Sequence, residues 1–485
     1  MTADATGLSR LSDWSQWRVT VAGIGIAGFA AADALAQLGA HVTVVDAADG
    51  DKQRDRAEIL DVLGVQVLLG HTGAAPEGTD VLVVSPGLRP SAAVITDAQE
   101  RGIPVWGELE LAWRLRHPDT AAAWLCVTGT NGKTTTTLML ESILRAAGYR
   151  TTAAGNIGMS LVDVVMHDEL DVIAVEVGAP QLPFLHSMSP VASVCLNIAD
   201  DHIDHFGSMD AYVAAKARIY ERTQEAAVYN VQDEVTLRMV ADADVIEGCR
   251  AIGFTLGVPA VSMLGIVDDV LVDRAFVADR AETAQELGLV SDVHPLAPHN
   301  VANALAAAAL ARAYGVPPTA VRDGLRAFEP AAHRIATVGT AAGVTFVDDS
   351  KATNAHAAQT SLAAYEPIVW IAGGMAKGQQ FDDLVIRAKD RLRGVVLLGV
   401  DRDVIAGALA RHAPDVPVIT IDSRETGAMV DVVRSAAQLA HDGDTVLLAP
   451  GCASWDMFRD YTDRGRQFAD AVARLPGFVP PAARA

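Results

Sequence analysis

The residues best suited to chemistry lie together at positions 127–137, Val-Thr-Gly-Thr-Asn-Gly-Lys-Thr-Thr-Thr-Thr. An apolar run, "AAAWLCV", leads into them, and a helical pattern, "TTTTLMLESILRAAG", leads out. A strand, a glycine turn, a lysine and a hydroxyl residue opening a helix present backbone N–H groups, a cation and a metal-ligating oxygen to the terminal phosphates of a nucleotide. In this reading Lys133 neutralises phosphate and Thr134 touches magnesium. The general pattern G-x-x-x-x-G-K-[ST] would require glycine at 127; Val127 stands there and the extra glycine is Gly129, so the loop is a variant. Whether the phosphate is hydrolysed for motion, passed on, or used to make a bond is open at this point.

Further along, Glu176 closes the apolar run "DVIAVEV", and "DDHIDHFGSMDAYVAAKARIY" carries His202 and Lys216. A glutamate and a histidine just past two strand ends, beside a phosphate loop, suit a magnesium ion held through few protein ligands. Taken singly, they read as an exposed acid, a loop histidine and a solvent-facing lysine. Near the start, Gly23-x-Gly25-x-x-Gly28 with Asp46 downstream forms a second phosphate-type turn. Alone it would suggest a nicotinamide-dependent oxidoreductase; beside a separate ATP loop, such a fold can hold any pyrophosphate, including that of a UDP-sugar.

These groups need scaffolding, and the chain supplies it in three blocks. "RVTVAGIGIAGFAAADALAQLGAHVTVVDA" reads as strand, glycine turn, helix and strand, followed by apolar runs at 65–69 and 81–84 and a helix within 107–120. The second block starts at the strand before the phosphate loop, carries apolar runs at 171–177 and 191–198, and closes on an alanine-rich helix at 300–315. The third contains five strand candidates, "GVTFVDDS", "PIVWIAGG", "GVVLLGV", "VPVITID" and "DTVLLAPG". The expected fold is α/β with three domains in series at 1–118, 119–330 and 331–485: a Rossmann-like first domain, a central P-loop ATPase-like parallel sheet, and a dinucleotide-fold-like third domain.

Bulk properties narrow the function. A chain of 485 residues, half of them hydrophobic, can bury several cores. A net charge of -22 without a block of consecutive lysines or arginines argues against nucleic acid as a partner. The four cysteines, Cys126, Cys195, Cys249 and Cys452, stand singly, which predicts reduced thiols rather than a zinc ribbon or a disulfide framework. The first 17 residues lack a signal-peptide apolar core, and the apolar run 21–45 is broken by glycines and Asp33. A cytoplasmic, non-membrane protein, monomeric and acting on small molecules, is the expectation.

The loop "GTNGKTTT" resembles the ATP loop of the Mur ligase family, ATP-dependent ligases that add amino acids to the peptidoglycan precursor, and of the related folylpolyglutamate synthases. Folylpolyglutamate synthases lack a front domain of the kind expected here. With the loop, Glu176 and His202 resemble the Mur metal ligands and Lys216, in "Y-x-x-A-K", the lysine that is carbamylated by carbon dioxide. A neutral, buried lysine amine is the form that reacts with carbon dioxide, and the product is a carboxylate able to position magnesium. Two magnesium sites are implied. Where the family usually has two hydroxyl residues and an aromatic or histidine before a glutamine, this chain reads Glu176-Val177-Gly178-Ala179-Pro180-Gln181.

The resemblance distributes further roles. Gly129, Thr130, Asn131, Gly132, Lys133, Thr134 and Thr135 would hold ATP phosphates. Asn300 and Asn303 in "PHNVANALAA" would contact adenine, Arg334 phosphate and Asp349 ribose. Gly23, Gly25, Ile26, Ala27, Asp46, Ser85, Pro86 and Gly87 would bind UDP, with Asn156 of "GNIG" and His202 on the muramoyl-peptide arm. Lys351, Thr353, Lys377, Ser454 and Tyr461 would take the incoming amino acid; two lysines and several hydroxyls suit a dicarboxylic one. The D-N-P-R signature of the diaminopimelate- or lysine-adding ligases is absent. The implied reaction joins D-glutamate to UDP-N-acetylmuramoyl-L-alanine through an acyl phosphate; L-glutamate, another amino acid, or a non-catalytic relative are the alternatives. Reacting atoms must approach to about 3–3.5 Å, so rotation of the third block about 328–334 is expected.

Overall fold

A computed structural model describes residues 5–167, 169–200, 203–330, 335–423 and 426–481. His202 and Arg334 therefore lie outside the described residues. The chain forms two compact units, one of residues 1–293 with 300–328, the other of 294–299 with 329–485.

The first unit contains two sheets. One has five parallel strands, β1 (Arg18–Ala22), β2 (His41–Asp46), β3 (Gln66–Leu69), β4 (Val81–Val84) and β5 (Val105–Gly107), ordered β3-β2-β1-β4-β5. Every residue of β4 is buried, which is why that strand reads as an unbroken apolar run rather than an alternation. Chain direction across the sheet switches between β1 and β4, so the loops after these two strands border the crevice where open α/β sheets bind ligands.

The other sheet has nine strands: β6 (Ala123–Thr128), β7 (Thr151–Gly155), β8 (Val172–Glu176), β9 (Ala192–Cys195), β10 (Ala226–Asn230), β11 (Arg250–Phe254), β12 (Met263–Val267), β13 (Val270–Asp273) and β14 (Gln285–Leu289). Their order is β14-β13-β12-β11-β10-β9-β6-β8-β7. From β7 to β12 the pairing is parallel, as expected, but β13 and β14 add an antiparallel meander. Asp268 and Asp269 turn β12 into β13, with Asp268 at φ 55, the left-handed backbone that tight hairpins favour. Helix Lys133–Ala146 follows β6, and the alanine-rich helix spans Pro298–Ala313. Small alanine side chains at 304, 306–309 and 311, all fully buried, let that helix sit close within the core.

The second unit is a six-stranded sheet of β15 (Ala336–Ala341), β16 (Val344–Asp348), β17 (Ile368–Gly373), β18 (Leu392–Leu398), β19 (Val418–Thr420) and β20 (Thr445–Leu448), ordered β15-β16-β20-β17-β18-β19. All five apolar runs of the third block are strands. The sixth, β15, pairs antiparallel at the edge; its sequence, Ala-Thr-Val-Gly-Thr-Ala, lacks the apolar density that marks a central strand. The cysteines are unpaired thiols. Among the described residues no helix is long and apolar enough to cross a membrane, and the run 21–45 is the end of β1, helix Ile26–Gln37 and most of β2.

Candidate active site

The phosphate loop spans the gap between β6 and helix Lys133–Ala146, next to the C-terminal ends of β8 and β9. Gly132 caps the helix at φ 84, and a Cβ there would stand 2.4 Å from Asn303 Oδ1, so backbone conformation and the Asn303 amide together favour glycine. This contact also seats the Asn303 amide against the loop, with Asn303 Nδ2 donating to Asn300 Oδ1 at 3.4 Å. The Lys133 ammonium folds over the loop, donating to Gly129 O and Thr130 O at 2.9 Å each.

The order β6-β8-β7 brings three distant residues together. Thr134 Oγ1 donates to Glu176 Oε2 at 2.7 Å, and Asn156 Nδ2 donates to Glu176 Oε1 at 2.8 Å. Glu176 and Thr134 are both buried, whereas Asn156 is exposed. A hydroxyl and a carboxylate side by side at a phosphate loop are hard oxygen donors, and magnesium usually takes only one or two carboxylates, completing its shell with water and phosphate oxygens. The pair fits that ion. Among the described residues no group of three or more His, Cys, Asp or Glu gathers to hold a metal by itself.

Lys216, on helix Met209–Ala217, is 1% exposed. Its Nζ donates to Gly129 O at 2.8 Å and Thr128 Oγ1 at 3.3 Å, and lies 5.1 Å from the Tyr212 ring centroid one turn earlier. The lysine thus reaches the phosphate loop itself. Tyr212 OH stands 2.9 Å from Thr130 Oγ1, a second link between this helix and the loop. Burial pushes the neighbouring Cys195 thiol up to about 11, partly offset by the Lys216 charge.

Sequence reasoning missed Asn197, which clamps the loop from β9: Asn131 N donates to its Oδ1 at 2.9 Å and its Nδ2 donates to Asn131 O at 3.1 Å. The available signal was an amide residue just past an apolar strand, the same signal that singled out Glu176. The altered segment after Glu176 is a 3-10 turn, Ala179–Phe184, held by Gly178 N donating to buried Gln181 Oε1 at 2.8 Å.

At the other sheet of this unit, Gly23 (φ 95) and Ser85 meet where β1 and β4 end, with Ser85 Oγ donating to Gly23 O at 3.1 Å. Gly25 and Ile26 are exposed at the uncapped start of helix Ile26–Gln37, whose free N–H groups suit an anion, and Ala27 is half-buried behind them. Pro86 and Gly87 follow on the β4 side. Asp46 uses both carboxylate oxygens on backbone amides, Ile24 N at 2.7 Å and Ala48 N at 2.8 Å, and so holds the glycine turn in shape. Arg56, unforeseen from the sequence, donates to Ile24 O at 2.9 Å.

In the second unit, the expected residues follow the ends of three adjacent strands, β16, β20 and β17. Asp349 is buried and accepts from Ser361 Oγ, and burial beside its charge raises the Tyr365 hydroxyl to about 12. The Lys351 ammonium lies 3.8 Å from the Tyr461 ring centroid, and that of Lys377 lies 4.4 Å from the ring of Trp455. Ser454 is 2% exposed. Thr353 N donates to Lys351 O at 2.8 Å in the loop after β16. Beneath them, fully buried Arg464 donates to Ser350 Oγ, Ser350 O and Cys452 O at 2.9, 2.8 and 3.1 Å, tying the β16 loop to the β20 loop.

Sequence models of three Mur ligase domains match the chain in order: a MurD-like N-terminal domain at 17–107, the middle domain at 127–311, and the glutamate ligase domain at 333–452. A UDP-N-acetylmuramoylalanine–D-glutamate ligase of Streptomyces avermitilis is 58% identical over 466 residues, covering 96% of this chain and 100% of the relative. This chain belongs to the Mur ligase family. A relative of the same name from Leifsonia xyli is 50% identical over 504 residues, covering 98% and 97%. Among solved Mur ligases, UDP-N-acetylmuramate-alanine ligase MurC of Thermotoga maritima superposes with a TM-score of 0.56 at 19% identity, over 93% of this chain and 98% of that one, a likeness of fold. The N-terminal match puts the glycine turn in a Mur ligase domain, against the oxidoreductase alternative.

Proposed function

We propose that this Mur ligase joins D-glutamate to UDP-N-acetylmuramoyl-L-alanine with consumption of ATP, a cytoplasmic step of peptidoglycan precursor synthesis. The observation that carries the chemistry is the Thr134–Glu176 contact at the mouth of the phosphate loop, which pairs a nucleotide cradle with a metal carboxylate. The named relatives, matched over nearly the whole of both chains, support the substrates.

The precursor carboxylate attacks the γ-phosphorus of ATP; an O–P bond forms, the bond to ADP breaks, and an acyl phosphate results. The amine of D-glutamate attacks the acyl carbon, loses a proton, and displaces inorganic phosphate to leave the amide. Lys133 offsets negative charge on the transferring group, and the loop of 129–135 holds it in line. Magnesium, when bound, neutralises phosphate charge. Thr134 and Glu176 would hold it, joined by His202 and by a carbamate on Lys216. Asn300, Asn303, Arg334 and Asp349 are assigned to the nucleotide, and Asn156 to the peptidyl arm. UDP is assigned to the turn at Gly23, Gly25, Ile26 and Ala27, with Asp46 and Ser85–Gly87. Lys351, Thr353, Lys377, Ser454 and Tyr461 are assigned to the amino acid, whose two carboxylates need cationic and hydroxyl donors. We place the domain boundaries near 118 and 330.

Phosphate release from ATP and magnesium with UDP-N-acetylmuramoyl-L-alanine, in parallel wells containing D-glutamate, L-glutamate, other amino acids or none, tests this. Release that requires both the UDP-sugar and D-glutamate is expected. Equal release without either one would overturn the assignment, and release with L-glutamate alone would change the acceptor.

A further inference from the structure

Trp455 is 65% exposed, yet its neighbours in the chain are held firmly. Ser454 is 2% exposed, and Met457 and Phe458 are 6% and 5% exposed. Met457 N and Phe458 N both donate to Ser454 O, at 3.1 and 2.9 Å, and Val400 N donates to Asp456 Oδ2 at 2.8 Å. The turn that presents the indole is therefore rigid although the ring is open to solvent.

The loop that carries Lys377 is bound to that turn. Met375 and Ala453 exchange backbone hydrogen bonds, Met375 N to Ala453 O at 2.9 Å and Ala453 N to Met375 O at 3.0 Å. Ala376 N donates to Asp401 Oδ2 at 2.8 Å, and Lys377 takes φ 52, a conformation a non-glycine residue adopts only under local constraint. Both loops thus fix the lysine stem and the indole relative to each other, and the ammonium rests 4.4 Å from the ring centroid. Among the described residues no carboxylate pairs with that ammonium.

An aromatic face attracts a cation without neutralising it or using its N–H groups. A carboxylate in the same place would do both, and would compete with an anionic substrate. We propose that Trp455 is a positioning residue for the amino-acid substrate: its ring seats Lys377 so that the ammonium keeps its full charge and its donors for a substrate carboxylate. Lys351 over Tyr461 repeats the arrangement across β16 and β20, and two such cations match the two carboxylates of an acidic amino acid. The inference rests on the ligase reading above.

The test is steady-state kinetics of Trp455→Leu and Trp455→Phe in the full chain, with each substrate varied in turn. Trp455→Leu is expected to raise KM for glutamate by about 2- to 5-fold, the range for losing an exposed cation–ring contact, with kcat and the KM values for ATP and the UDP-sugar unchanged. Trp455→Phe, which keeps an aromatic face, is expected to recover most of the loss. An unchanged glutamate KM in Trp455→Leu, or equal losses for all three substrates in both variants, would overturn the proposal. A readout without turnover separates it from the functional reading. Tryptophan emission is titrated with D-glutamate in the presence of an ATP analogue and the UDP-sugar, with Trp455→Phe removing the contribution of this one of seven tryptophans. A saturable change seen in the natural chain and absent from Trp455→Phe supports the seat even if ligation were to fail; no difference between the two overturns it.

Discussion

Thr134 and Glu176, 42 residues apart, share a hydrogen bond of 2.7 Å at the edge of the phosphate loop. The contact exists because β6 and β8 are neighbours, with Val127 paired to Glu176 in register, so the residue that opens the helix after one strand meets the residue that closes the other. Thr134→Val keeps the shape and removes the oxygen. A fall in kcat of roughly 100-fold or more is expected, the scale of losing one preorganised electrostatic contact at a reacting phosphate. Phosphate-release kinetics measure it, with a melting temperature close to the natural chain's as the control for folding. Activity within a few-fold would remove Thr134 from the metal site.

Lys216 is predicted to act through a carboxylate mounted on its Nζ. Lys216→Ala should abolish ligation, and added formate or acetate should restore part of it by filling the vacated space. Full activity in the variant, or mass spectra of the active natural chain that never carry the added carbon dioxide, would sink the carbamate assignment. The contact of Nζ with Gly129 O makes a second role for this residue, support of the loop, and Lys216→Met, which keeps the stem but has no Nζ, removes both roles together.

At Gly28 a Cβ would fall 1.8 Å from Gly23 O, inside the turn assigned to UDP. The Gly23 carbonyl is backbone and cannot swing aside as a side chain could, and Ser85 Oγ stands 2.7 Å from the same point. Gly28→Ala is expected to cost about 1–3 kcal/mol of stability, the usual range for overpacking, and to raise KM for the UDP-sugar while leaving that for ATP unchanged. Urea unfolding and substrate-varied kinetics test both halves of the claim.

Two acids on helix Glu108–Arg114 make opposite predictions for pH. For Glu110, burial alone would raise the pKa, but the Ser187 hydroxyl, the N–H groups of Ser187 and His186, and the Arg114 guanidinium at 2.7 Å together hold it below its ordinary 4.5. Its stabilisation is complete above 4.5 and is lost as pH falls through the lower folded value. For Glu108, burial dominates over donation from Ser160 and Leu161 and raises the pKa, so its charge opposes folding above the folded value and protonation favours the fold as pH falls. Glu110→Ala should therefore cost about 3–5 kcal/mol at neutral pH, as when one partner of a buried ion pair is removed. Glu108→Gln should cost far less, because a neutral amide oxygen can still accept from Ser160. Urea unfolding of both variants at pH 7.5 checks the contrast; equal costs would contradict it.

Much of the site was legible in the linear sequence because its parts are local. The phosphate loop, the glycine turn at 23–28 and the helices they open are each defined within about a dozen residues, where glycine conformational freedom, helix N-terminal amides and apolar periodicity act over short range. The same local signals marked Glu176 as a residue closing a strand, and they placed all five expected strands of the third block. They were weaker for β13, an apolar but four-residue strand, for β14, whose first two residues are exposed and polar, and for the edge strand β15.

Strand order is another matter, since it is set by which faces can be buried against which, and no single segment encodes it. Only the tertiary structure put Asn197 on both polar groups of the Asn131 peptide, turned Lys216 inward onto Gly129 O, and gave Asp46 two backbone amides to hold. Only it set Trp455 beneath the Lys377 ammonium, through hydrogen bonds between loops that follow two strands some 80 residues apart in the chain. The chemistry a residue can offer is a property of its type and can be read in sequence; the partner that directs that chemistry depends on packing across the sheet.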